Sequence, residues 1–145
     1  MKNITQLLTA LVFGSLLIFA SCGGGKDDPK VDPADAIGEE LATIAGSPSS
    51  VTLDGESRSE WSSTTFTFTY DKETNTGTVV VADAPTNDGA DAVWGSGGTY
   101  SLNDDGTAAT LNGTEISISG TKLTFDVAEG SGRAAVFYGT WVFSF

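Results

Sequence analysis

Most of the chain alternates apolar and polar side chains with a period of two. The clearest run is Thr64–Tyr70, in which two phenylalanines and a tyrosine lie on one face and threonines lie on the other. Such alternation is typical of a half-buried β-strand. Asn112-Gly113, which separates two further alternating runs, is the strongest short signal for a β-hairpin turn.

Further strands are predicted wherever the alternation recurs between turn-forming residues. They are Ser50–Leu53, Thr78–Ala82, Gly98–Leu102, Ala108–Leu111, Thr114–Ser119, Lys122–Val127 and a long final strand, Ala135–Phe145. About eight short strands with turns at regular spacing predict an all-β domain. The short connections after residue 97 favour an up-and-down β-barrel, and a closely related β-sandwich is the alternative.

One short helix is predicted ahead of the strands. Asp32 is suited to cap its N-terminus, and Pro33 is suited to its first position. A single apolar stripe follows, formed by Ile37, Leu41 and Ile44. Gly46 and Pro48 then end the helix. We expect this helix to pack on the sheet as a lid.

Composition excludes several classes of function. The chain contains no histidine, so histidine-dependent triads and the usual zinc sites are excluded. No Asp or Glu lies on an apolar strand face, where burial would raise its pKa. We therefore expect no catalysis, no metal and no cofactor. The large excess of acidic residues repels phosphate backbones, so nucleic-acid binding is not expected.

The N-terminal residues predict an address outside the cytoplasm. Lys2 precedes an almost continuous apolar run from Leu7 to Ala20, and the small residue Ser21 and Cys22 follow. This is the layout of a secretory signal, and the run is short for a membrane span, which needs about 20 apolar residues. The segment resembles a bacterial lipobox, which implies a lipoprotein signal peptide at 1–21.

The lipobox resemblance also implies that the thiol of Cys22, the single cysteine, is acylated with palmitate or a similar chain. Phe19 stands where a lipobox usually has leucine. The alternative is an ordinary secretory signal followed by a free thiol, which is a poor arrangement in a secreted chain. Removal of 1–21 would take Lys2 away and leave six basic residues against 19 acidic ones, a net charge of −13.

Residues 22–33 are predicted to form a flexible acidic tether. Lys26, Asp27 and Asp28 follow three glycines and resemble the short export signal of Bacteroidetes surface lipoproteins. The resemblance implies a lipid-anchored protein of the outer membrane, exposed at the cell surface. The alternative is that these three charges only keep the tether solvated.

Residues 34–145 are predicted to form one β domain. They contain V-T-L-D-G at 51–55, F-T-F-T-Y at 66–70, E-I-S-I-S-G-T-K-L-T-F at 115–125 and G-T-W-V-F at 139–143. This order resembles that of small Bacteroidetes lipocalin-like lipoproteins, which implies a lipocalin-like barrel. The family's first strand usually carries Gly-Thr-Trp, where this chain has Gly46-Ser47-Pro48. No functional residue carries over from the family.

A polar loop of about fifteen residues, 83–97, is the candidate site, because long loops in small domains are commonly functional. Trp94, Asn87 and Asp88 are its candidate ligand-binding residues, and Trp94 could instead close the barrel end as a plug. Trp61 and Trp141 are predicted to lie in the core.

Two functions follow from this sequence. The first is a lipid-anchored binding module for a small apolar or carbohydrate ligand. The alternative is a structural or interaction lipoprotein with a filled core that docks to another outer-membrane protein. A ligand-sized interior cavity, of about 300 Å³ or more, would discriminate between them.

Overall fold

The computed structural model describes residues 31–86, 89–129 and 135–145. Several features predicted from the sequence lie outside these residues. They are the signal peptide at 1–21, Cys22 and most of the tether, the export signal Lys26, Asp27 and Asp28, and the loop residues Asn87 and Asp88.

The described residues form one ten-stranded antiparallel sheet that curls into a barrel-like shape. The strands are β1 Ala45–Gly46, β2 Ser50–Leu53, β3 Glu56–Ser57, β4 Thr65–Asp71, β5 Thr76–Ala82, β6 Gly97–Leu102, β7 Ala108–Leu111, β8 Thr114–Ser119, β9 Lys122–Val127 and β10 Gly139–Ser144. Their order in the sheet is β1-β4-β5-β6-β7-β8-β9-β10-β2-β3. Strands β4 to β10 therefore follow one another as a simple meander. The all-β, barrel-like prediction is confirmed, but the strand count is ten rather than about eight.

The additional strands come from the residues that precede β4 in the chain. β1 pairs with β4, in the register Ala45 opposite Thr67, whereas β2 pairs with β10, in the register Val51 opposite Phe143. Three residues separate β1 from β2, and Pro48 among them has no N–H to donate. The chain therefore changes partners at Pro48 and links the two margins of the curled sheet. β3 adds a two-residue strand to β2.

The inner face of the sheet is an aromatic core. Buried residues alternate with exposed ones along β4, β5 and β8, as the period of two predicts. The largest fully buried side chains are Trp61, Trp94, Trp141, Phe66 and Phe143. Large aromatic rings of this kind dominate the energetics of a core, since each buries about 150–250 Å².

The helix α1, Pro33–Leu41, covers one end of the barrel. The carboxylate of Asp32 accepts a hydrogen bond from the backbone N–H of Ala34 at 3.0 Å, which confirms the predicted N-terminal cap. Gly38 lies directly against the ring of Tyr70, and a Cβ at this position would overlap that ring. A glycine that weakens an isolated helix is therefore what allows α1 to approach the sheet.

The final strand is shorter than predicted. Residues Ala135–Phe137 form a 3-10 turn, and β10 begins only at Gly139, whose φ is +135°. Gly139 lies against the carboxylate of Asp54, which accepts a hydrogen bond from the N–H of Thr140 at 2.9 Å. The predicted alternation of Trp141 with Phe143 is confirmed, but the 3-10 turn and the backbone at Gly139 end the strand earlier than predicted on its N-terminal side.

Candidate functional site

Trp94 lies in the core rather than on an exposed loop. The predicted loop at 83–97 contains a short helix, α2, Asp91–Trp94. The indole of Trp94 is 0 % exposed and meets four phenylalanine rings edge to face. The nearest two, Phe66 and Phe143, have ring centroids 5.1 and 5.3 Å away. The indole therefore offers no surface to the solvent.

The indole N–H of Trp94 finds no hydrogen-bond partner among the residues that the structure describes. The surrounding phenylalanine rings are weak acceptors at best, which makes this N–H a polar group held at some cost inside an apolar core.

Asn112 holds α2 in place from the neighbouring hairpin. Asn112 and Gly113 have φ values of +51° and +81°, as the two-residue turn predicted from the Asn-Gly pair requires. The side-chain amide of Asn112 donates a hydrogen bond to the backbone oxygen of Val93 at 2.9 Å. The turn residue thus also positions the helix that carries Trp94, a contact that the local sequence does not reveal.

The interior of the barrel is filled by side chains. A void of about 10 Å³ lies inside the barrel, lined by Leu41 of α1, Phe68, Trp94, Tyr100 and other apolar residues. A water molecule needs a void of about 10–15 Å³ and several polar partners, whereas small-molecule sites measure about 300–1,000 Å³. This interior, as it stands, has no room for a ligand.

Two tyrosines carry the largest pKa shifts in the domain. Burial, followed by a hydrogen bond to Asp35 at 3.0 Å, raises the pKa of Tyr70 to about 12. Burial raises the pKa of Tyr100 to about 12, and its hydroxyl donates to the backbone oxygen of Thr69 at 2.8 Å. Both hydroxyls stay protonated at neutral pH, so neither supplies a general base. Among the described residues, no three His, Cys, Asp or Glu side chains lie close enough together to hold a metal ion.

The opposite end of the barrel carries an arginine on aromatic rings. Because the strands alternate in direction, the β2–β3 turn and the β5–β6 and β9–β10 connections lie at the end away from α1, which we call the distal end. There the guanidinium carbon of Arg58 lies 5.1 Å from the ring centroid of Trp141 and 5.4 Å from that of Phe137. Its Nε also bonds to a carboxylate oxygen of Glu60 at 2.6 Å.

Sequence reasoning missed this cluster. Arg58 follows a two-residue strand, and its ring partners lie on β10 and the 3-10 turn before it, so no local pattern brings them together. The only signal that could have pointed to Arg58 was the scarcity of basic side chains. Arg58 is one of three Lys or Arg side chains among the described residues.

The outer wall of the barrel holds two polar depressions on either side of β8. Their volumes are about 490 and 510 Å³, and Glu115 and Ser117 line both. Both are open to the solvent and are lined mainly by polar residues, with several serine and threonine hydroxyls. The volume available to a partner therefore lies outside the barrel.

Comparison of the chain with models of known protein families, with curated proteins and with solved structures yields no match. Within the part of the chain that the structure describes, no helix has the length and apolar character needed to cross a membrane.

Proposed function

We propose that this chain is a lipid-anchored protein of the cell envelope whose β domain docks to another envelope component through its outer surface. The observation that carries this proposal is the interior packed with apolar and aromatic side chains, in which the void lined by Phe68, Trp94 and Tyr100 measures about 10 Å³. A barrel that encloses a ligand needs a cavity of about 300 Å³ or more. The docking function needs only a rigid body with an accessible surface.

The anchor is part of the proposal. The layout of Lys2, the apolar run and Cys22 favours acylation of Cys22 and removal of 1–21. Lys26, Asp27 and Asp28 favour export to the outer face of the outer membrane. On this hypothesis the domain is a lipocalin-like, up-and-down barrel.

The acidic surface also supports docking rather than adsorption to lipid. The described residues carry many more carboxylates than cations, so the domain is repelled by anionic headgroups. A partner that binds this domain must offer neutral or basic groups.

Cross-linking on intact cells tests the docking function. A carbodiimide joins a carboxylate of this chain to a lysine amine in direct contact with it, and the chain's 19 acidic residues make it reactive over most of its surface. We expect a discrete protein adduct with the native chain. Cys22→Ala, which removes the site of acylation, should abolish the adduct and release the chain from membranes, as fractionation and labelled fatty acid would show.

Native mass spectrometry of the purified protein tests the competing function. A bound lipid or sugar present at one molecule per chain, with no carbodiimide adduct, would overturn the proposal in favour of a ligand-binding interior. The export signal has its own test: replacement of Lys26, Asp27 and Asp28 by alanine should remove the domain from the reach of protease added to intact cells.

A further inference from the structure

The two ends of the barrel lie at different distances from the lipid anchor. The eleven residues Cys22 to Asp32 precede α1 directly, and eleven residues span at most about 40 Å. The α1 end therefore stays within that distance of the membrane if Cys22 is acylated. The distal end lies farther along the barrel by a strand length, about 20 Å for six residues. The tether therefore joins the domain at the α1 end, and the distal end has no such attachment.

The distal end presents a patch of the composition found at protein interfaces. We call Arg58, Val136, Phe137 and Tyr138 the distal patch. Val136 is 69 % exposed, one of three large apolar side chains that the described residues leave in solvent, and Phe137 and Tyr138 are partly exposed. Arginine and large aromatic residues are enriched at the centres of protein interfaces.

Contacts with neighbouring residues of the chain hold the distal patch in place. The indole N–H of Trp141 donates to the backbone oxygen of Phe137 at 3.2 Å, and Arg58 stacks over both rings. Gly89, with φ of +90°, lets the backbone approach the Cβ of Phe137 to a distance that a side chain would block. A surface ordered before binding loses little conformational entropy when a partner arrives, which favours affinity.

The charges around the distal patch specify the partner. The described residues of the distal end include six acidic ones, and Glu60 among them pairs with Arg58. They are Asp54, Glu56, Glu60, Asp83, Asp91 and Glu129. Charged groups at the rim of an interface select partners of complementary charge. An acidic rim around an apolar centre fits an apolar recess bordered by lysine or arginine.

We infer that the distal patch is the surface through which the anchored domain docks to a protein partner with an apolar recess bordered by basic residues. This inference rests on the docking function proposed above and adds the location and the chemistry of the contact.

The three exposed valines provide a matched experiment. The photo-cross-linking amino acid p-benzoylphenylalanine is placed at position 136, 80 or 31 of the full-length chain in its native host, one position at a time. Val80 on the barrel wall is 59 % exposed and Val31 beside the anchor is 71 % exposed, so all three positions are similarly accessible. We expect a discrete protein adduct from position 136, about tenfold more abundant than from either control position.

In a second experiment the cross-linker is moved to another position, so that Val136 itself can be substituted. The cross-linker is placed at Ser59, beside Arg58, in chains that also carry Val136→Asp or Val80→Asp. Val136→Asp should reduce the adduct about tenfold, whereas Val80→Asp should leave it unchanged. The partner peptide in the adduct should contain lysine or arginine beside apolar residues, and 0.5 M salt should reduce the yield, because screening weakens rim charges.

The outcomes separate this inference from the docking function. An adduct from position 80 or 31 but not from 136, with the carbodiimide adduct intact, overturns the distal patch and leaves docking in place. An adduct with the mass of two copies of this chain, or with a polysaccharide, overturns the stated partner. Loss of every adduct, including the carbodiimide one, overturns both proposals.

Discussion

The two ends of this barrel are closed in different ways. At the α1 end a helix seals the sheet through backbone contact at Gly38 and through the hydroxyl of Tyr70, which bonds to Asp35 and Asn75. At the distal end, beside the connections that follow β5 and β9, Arg58 is stacked over Trp141 and Phe137. At the α1 end the polar groups therefore bond within the chain, whereas the distal end exposes an aromatic and charged surface to the solvent.

The difference shows how a small barrel can be rigid and still have a surface for a partner. Helix docking at one end uses hydrogen bonds within the chain, which protects that end from competing partners. Aromatic and arginine side chains at the other end remain partly exposed.

The largest effects should come from the core that supports the distal end. Trp94 and Trp141 are both 0 % exposed, so Trp94→Ala and Trp141→Ala should each lower the free energy of unfolding by about 3–5 kcal/mol. Urea unfolding of the purified variants measures both values. A cost for Trp94→Ala well below that for Trp141→Ala would mean that α2 relaxes easily and that Trp94 is a loop residue after all.

The next effect should come from the contact between α1 and the sheet. Gly38→Ala raises intrinsic helix propensity by about 1 kcal/mol, yet its Cβ overlaps the ring of Tyr70, and overpacking of this kind costs about 1–3 kcal/mol. We expect net destabilisation in thermal unfolding. Glu39→Ala, at an exposed position on the same helix, is the matched control and should change stability by less than about 0.5 kcal/mol. A stabilised Gly38→Ala variant would contradict close docking of α1.

The pH dependence should also reflect the α1 end. The pKa values of Tyr70 and Tyr100 are about 12 in the folded state, against 10 in the unfolded chain. Above pH 10 the unfolded state loses these protons first, so stability is complete below pH 10 and is lost as the pH rises through 12. In this range each tyrosine lowers the free energy of unfolding by at most about 1.4 kcal/mol per pH unit, and Tyr70 lowers it by less because it is partly exposed.

Replacing Tyr70 and Tyr100 by phenylalanine shows how much each of them contributes to this loss of stability at high pH. Tyr70→Phe also loses a hydrogen bond to Asp35, worth about 1 kcal/mol at neutral pH. Between pH 10 and 12, unfolding followed by circular dichroism should show a shallower decline for Tyr70→Phe and almost none for the double variant with Tyr100→Phe. An unchanged slope in the double variant would place the alkaline transition elsewhere.

The smallest effect should come from Arg58. Its contacts are a cation–π interaction and one ion pair at the surface, worth about 0.5–1 kcal/mol each. Arg58→Met keeps much of the apolar stem over Trp141 and should therefore cost about 1 kcal/mol or less in urea unfolding. A loss as large as that of Trp141→Ala would make Arg58 a structural closure of the distal end, as α1 is of the other.

Much of the strand pattern could be predicted from local sequence. The predicted bounds of β2, β7, β8 and β9 match the structure, because a period of two and a bounding turn are properties of adjacent residues. The cap at Asp32 and the turn at Asn112 were likewise predictable from side-chain chemistry over a few positions.

The sequence left open whether Trp94 contacts a ligand or closes the barrel end as a plug, and no local pattern could decide between the two. The segment of Trp94 has the composition of a polar loop, and its burial depends on how the sheet curls around phenylalanines from β4, β9 and β10. The same holds for the candidate surface, since Arg58 and Phe137 come from distant parts of the chain. Such contacts are set by sheet curvature and register, which no local pattern reports.

Most of the strands, the helix cap, the hairpin turn and the acidic surface follow from the amino-acid sequence alone, because each depends on a residue and its near neighbours. Only the tertiary structure decided that the interior is filled, that Pro48 divides the first strand between two partners, and that Arg58 lies over Trp141. These features arise when distant strands close on one another. Their energy comes from packing among residues that the sequence keeps far apart.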